Sequence, residues 1–66
     1  SNSEKKSIIL NHFDNMMEFY DEYGVIVFRK HLHNYSKGYE GASAFRSDIN
    51  KIIKVDEARS RIKDFF

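Results

Sequence analysis

The sequence has no cysteine, no proline and only three glycines. Without cysteine there is no disulfide framework, no thiolate metal site and no cysteine nucleophile. Long apolar runs are missing too. The longest stretch free of Lys, Arg, Asp and Glu is Ser7 to Phe13, seven residues, against the roughly 20 a spanning helix needs. No membrane segment is therefore expected, and no signal peptide is visible. There is no repeat, no low-complexity tract and no glycine-rich phosphate loop.

What is present is aromatic and unevenly charged. Six Phe and four Tyr occur in 66 residues. So short a chain buries only roughly 60% of the surface it exposes when unfolded, and aromatic rings are the largest apolar groups available to offset that. The composition is that of one folded domain. Ser1 to Ser3 are set aside as a tag remnant or disordered start, leaving residues 4–66 as that domain. The missing start methionine and the apolar Phe65-Phe66 end predict a piece of a longer protein. Net charge is +1 overall. Residues 1–22 hold five acids against two lysines, net −3, and residues 23–66 hold nine Lys or Arg against five acids, net +4. Between Tyr23 and Tyr39 there is no acid, while Arg29, Lys30, Lys37, His31 and His33 lie there. A local basic field is expected in that window.

Hydrophobic spacing predicts an all-α fold, a compact bundle of four short helices. The first helix is expected from about Glu4 to Tyr23, with Ile9, Phe13, Met16, Met17 and Tyr20 on one face and Gly24 ending it. The second is expected from Val25 to Ser36, striped by Val25, Phe28, Leu32 and Tyr35. Gly38 to Gly41 reads as a turn. A third helix is expected from Ala42 to Ile53, with Ala42, Phe45, Ile49 and Ile52 inward. A fourth starts near Asp56, a candidate N-cap, and carries Ala58, Ile62 and Phe65 or Phe66.

The second helix has two faces. At about 100° per residue, with Phe28 as zero, Leu32, Val25 and Tyr35 fall within ~60° of it. Lys30 and His33 fall near ~200° and ~140°, on the opposite side, as does Lys37 near ~180° if the helix reaches it. Arg29 and His31 flank the apolar stripe. Lysine supplies a point charge for phosphate, arginine a planar fork, and Tyr35 or Tyr39 could stack on an unpaired base. On charge alone two readings stay open: a phosphate-binding face, or an ordinary solvated face with snorkelling lysines. His31 and His33 point about 200° apart on a helix, so they do not share a metal ion. His12 reads as a surface or packing histidine, and His31 as a half-buried hydrogen-bonding one. Asp21 and Glu22 have no partner constellation for paired-carboxylate catalysis. No catalytic residue, metal site or cofactor site is expected in this chain.

Tyr23-Gly24, Arg29-Lys30-His31-Leu32, Tyr35, Lys37-Gly38, Gly41-Ala42, Phe45-Arg46 and Ile49-Asn50 together resemble the C-terminal helical domain of bacterial tRNA-dihydrouridine synthases, most of all the B-type branch. The resemblance covers roughly His12 to Ile53, and its most specific element is Arg-Lys-His with a tyrosine four residues on and Lys-Gly beyond. It implies a parent flavoenzyme whose barrel holds FMN and reduces a tRNA uridine with NADPH, using a cysteine as general acid. It implies that residues 4–66 are a helical tRNA-binding domain, non-catalytic and lacking the barrel. Its implied partners are tRNA and that barrel. The protein is expected to be cytoplasmic and monomeric. By carry-over, Arg29 and Lys30 lead as tRNA contacts, with Lys37 and Arg46 supporting and Tyr35 as the aromatic. His31 and His33 would orient or pack. The family commonly has Trp where this chain has Asn34, and often Arg where it has Ile26. A helical protein-interaction or intramolecular docking module is the alternative.

Overall fold

A computed structural model describes residues 2–66, all four elements of which are helices: α1 Asn2–Tyr20, α2 Tyr23–Tyr35, α3 Ala42–Ile49 and α4 Val55–Phe65. α1 packs on both α2 and α4, α2 on α3, and α3 on α4. The core is drawn from the stripes read from the spacing, with Met16, Met17, Tyr35 and Ile52 only half-buried and Tyr20 outside it. Ile9 and Phe13 of α1, Val25, Phe28 and Leu32 of α2, Phe45 and Ile49 of α3, and Ala58 and Ile62 of α4 are buried, with Phe66. Aromatic edges hold the seams. Phe13 meets Phe28 edge-on at 5.3 Å between centroids, and Phe45 stacks on Phe65 at 4.1 Å. Among the described residues no helix is long and apolar enough to cross a membrane.

The helix boundaries differ from the sequence expectation. α1 begins at Asn2, so Asn2 and Ser3 are helical and Glu4 lies in the first turn, where its charge complements the helix dipole. It ends at Tyr20, because Asp21 takes a left-handed conformation at φ 54° and its N–H bonds the Met17 carbonyl at 2.8 Å. Asp is one of the few non-glycine residues that visit this region readily. Gly24, expected as the stop, lies instead in the first turn of α2, buried. A Cβ there would sit 2.8 Å from Met17 Cε and 3.2 Å from both the Met16 carbonyl oxygen and Tyr20 Cβ. Gly24 thus serves the close approach of α1 and α2, not termination. Tyr20 leans outward, 40% exposed, toward Phe19 and Tyr23.

α3 stops at Ile49 rather than Ile53, and Ile52 is half-buried in the loop that follows. The residue flanking α4 is Lys54, extended at φ −87° and ψ 136°, so Asp56 lies in the first turn with Glu57. Both carboxylates there complement the helix dipole. Gly38 and Gly41, at φ 83° and 79°, make the α2–α3 turn. Arg59 clasps Asp14 with two 3.0 Å bonds, joining α4 to α1 at the surface.

Candidate nucleic-acid interface

The basic residues of α2 and the turn beyond it divide by what each side chain touches. Lys30 is exposed, and no ion pair engages it among the described residues. Lys37, in the turn just past α2, is exposed likewise. Arg29 is half-buried, and its Nη2 donates to the Ile52 carbonyl oxygen at 2.9 Å. Its Nε is buried with no hydrogen-bond partner among the described residues. Arg46 is half-buried as well, its Nε donating to Ser36 Oγ at 3.3 Å. Ser36, fully buried, donates in turn to the His33 carbonyl oxygen at 3.2 Å.

The aromatic and histidine candidates gather on the other flank of α2. Tyr35 is half-buried, its hydroxyl 2.8 Å from His12 Nδ1. With His12 neutral, the phenol donates and the ring nitrogen accepts. His31 lies against His12 and Phe28, at 4.7 and 5.4 Å between centroids. Burial first, and the charge of His31 second, hold the His12 pKa below its ordinary 6.5. Lys5 reaches across from α1 to donate to the Tyr35 carbonyl oxygen at 3.3 Å, its ammonium 4.5 Å from the centre of the Tyr39 ring. A cation at that helix end is favoured by the dipole.

His33, on the outer face, lies 3.2 Å from Asn50 Oδ1 through its Nε2. That bond and the Arg29–Ile52 bond together lay residues 50–54 along the outer side of α2. Lys51 falls between the two tethers. Lys54 lines an open groove of about 430 Å³ with Glu22, Tyr23, Ile26 and Ile53. The structure therefore brings a loop with two lysines and no acid along the side of α2 that carries Arg29 and His33. Nothing in the sequence singles out Lys51 or Lys54, since no local pattern says where a loop 20 residues downstream will lie. The second groove, about 360 Å³, is lined by Ile52, Asp56, Glu57, Ser60, Arg61 and Asp64. Its three carboxylates make it unsuited to a polyanion. Among the described residues, no three His, Asp or Glu side chains are grouped to hold a metal ion.

Comparison with known proteins places the chain in a family. The family model described as dihydrouridine synthase matches residues 1–66. A Helicobacter pylori protein named "Probable tRNA-dihydrouridine synthase" is 50% identical over 62 residues, covering 94% of this chain and 19% of that protein. The tRNA-dihydrouridine synthase B of Vibrio cholerae is 38% identical over 65 residues, 97% of this chain and 20% of that protein. That of Pseudomonas aeruginosa is 34% identical over 64 residues, 96% of this chain and 19% of that protein. The chain thus spans about a fifth of the length of the curated relatives it matches. No solved structure matches it. The chain belongs to the dihydrouridine synthase family.

Proposed function

We propose that this chain is a tRNA-binding accessory domain of a tRNA-dihydrouridine synthase. It holds tRNA while a barrel domain outside this chain reduces a uridine to dihydrouridine with FMN and NADPH. The observation that carries the reading is the outer side of α2, where Lys30 is exposed and where Arg29 and His33 tether the loop bearing exposed Lys51 and Lys54. Phosphate contacts of this kind fix a protein's register on a nucleic acid without reading its sequence. The names of the relatives, all tRNA-dihydrouridine synthases, support tRNA as the polyanion.

In this reading the site residues have different tasks. Lys30 and Lys37 contact tRNA phosphates directly, since both are exposed. Arg29 and Arg46 keep part of their donor fork for phosphate while one nitrogen of each holds the fold. Tyr35 supports α2 through His12, and His31 and His33 orient neighbours. The chain acts as a monomer in the cytoplasm and does no chemistry itself. Its own residues do not fit a flavin: there is no glycine-rich phosphate loop, and both grooves are open. FMN and NADPH belong to the barrel.

Titrating tRNA into the chain at low salt tests the reading. Weak binding is expected, lost as salt rises, because counterion release drives contacts of this kind. Absence of binding even at low salt, with tight binding to the separated barrel, would overturn it in favour of an intramolecular docking module.

A further inference from the structure

The outer face of α2 does not end at Lys30. On the wheel that places Lys30 near ~200° from Phe28, Tyr23 falls near ~220° and Ile26 near ~160°. Tyr23 lies two turns before Lys30, about 10 Å along the helix axis. The cationic strip therefore runs without a break into an apolar one. Tyr23 is 64% exposed, Ile26 45% and Ile53 63%, so among the described residues five of the six large exposed hydrophobics, with Phe19 and Tyr20, cluster at this end. The groove between them has about 430 Å³ and is open to solvent, which leaves the Tyr23 ring accessible to a planar base. Its floor is one aromatic ring and two isoleucines, and its two charges are of opposite sign, Glu22 and Lys54.

We propose that this groove holds one unpaired base of an RNA, stacked on Tyr23 between Ile26 and Ile53, with Lys54 on its phosphate and Glu22 on its edge. The inference rests on the RNA reading above. Four observations favour a nucleotide over a protein surface as the occupant. The ring is exposed at the end of a cationic strip, the loop carrying Lys51 and Lys54 continues the positive charge, and the open groove gives a planar base access to the ring. The fourth is that its single carboxylate, Glu22, makes no ion pair among the described residues. Stacking on an aromatic face serves any base. A carboxylate acceptor discriminates: it takes a hydrogen bond from the exocyclic amine of cytosine, whereas uracil offers it only N3–H, flanked by two carbonyl oxygens that repel it. The groove should prefer an amino-bearing base.

The test uses the 66-residue chain with pentacytidylate and pentauridylate at low salt, followed by the Ile methyl and Tyr ring resonances. Pentacytidylate should shift Ile26, Ile53 and Tyr23, and bind about threefold to tenfold tighter than pentauridylate. Tyr23→Ala should weaken it about fivefold or more, and Tyr23→Trp should restore it. Glu22→Ala should erase the preference while leaving stacking. Both side chains are exposed, and an unchanged helical circular dichroism spectrum confirms that each variant folds. If Lys30→Ala weakens tRNA binding while Tyr23→Ala does not, the stacking site is overturned and the RNA reading stands. Tyr23→Ala that instead loosens attachment to the catalytic barrel, with RNA affinity unchanged, gives the groove to protein docking and overturns the proposal. If neither oligonucleotide nor tRNA binds the parent chain, the RNA reading itself has failed.

Discussion

Arg29 and Lys30 are neighbours in sequence with opposite structural roles, and exchanging each for methionine separates them. Arg29→Met keeps an apolar stem of similar reach but removes the bond from Nη2 to the Ile52 carbonyl oxygen, 2.9 Å long. A hydrogen bond with a charged donor contributes about 1.5–3 kcal/mol. The group is half-buried, which favours the low end. Arg29 Nε is buried with no partner among the described residues, so its removal returns part of a desolvation cost of about 1 kcal/mol or more. The net destabilisation should be about 1 kcal/mol. For a domain of this size that lowers the melting temperature by roughly 4–8 °C. Lys30→Met, on an exposed side chain with no bond to lose, should fall within about 0.5 kcal/mol of the parent. Thermal melts by far-ultraviolet circular dichroism read both. Equal melting temperatures, or a larger loss for Lys30→Met, would refute the assignment of Arg29 as the tether of residues 50–54.

Gly24→Val should destabilise the chain by about 1–3 kcal/mol, because branched carbons would meet Met17, Tyr20 and the Met16 carbonyl; a urea midpoint equal to the parent's would contradict the close-approach account. His12 gives a pH dependence. Its pKa is lowered in the folded chain, by burial and then by His31, so the unfolded chain binds the proton more readily. The stability contributed by neutral His12 is whole above about pH 6.5 and declines as pH falls below it. The urea midpoint should therefore drop between pH 7.5 and 5, and drop less in His12→Gln; identical slopes for the two would contradict it.

The apolar stripes of all four helices were legible because burial of one face imposes a period that survives in any single sequence. Phe28, Leu32 and Val25 fall inward and Lys30 outward, as the wheel of α2 requires, whereas α2 stops at Tyr35 and leaves Lys37 to the turn. The boundaries were less legible. Gly24 carries the usual signature of a helix stop, but its lack of a side chain serves contact between α1 and α2, and Asp21 makes the turn. Ile52 continues the spacing of α3 yet sits in a loop, where its carbonyl takes the Arg29 bond. The tethers themselves were invisible. Arg29 and Ile52 are 23 residues apart, as are His12 and Tyr35, and Lys5 and Tyr35 are 30 apart. No local pattern encodes such pairs. For the same reason Lys51 and Lys54 join the candidate face only once the loop is placed beside α2, while the family resemblance rests on residues of α2, the turn after it and α3.

Whether α2 presents a phosphate-binding face to tRNA is tested most directly by the slope of log affinity against log salt concentration. It is measured for tRNA with the parent chain and with Lys30→Ala. A phosphate-binding face predicts a steep loss of affinity with salt, and a slope shallower by about one unit in Lys30→Ala, with affinity reduced alike for different tRNAs. A flat salt dependence, or the same slope in both proteins, would contradict it.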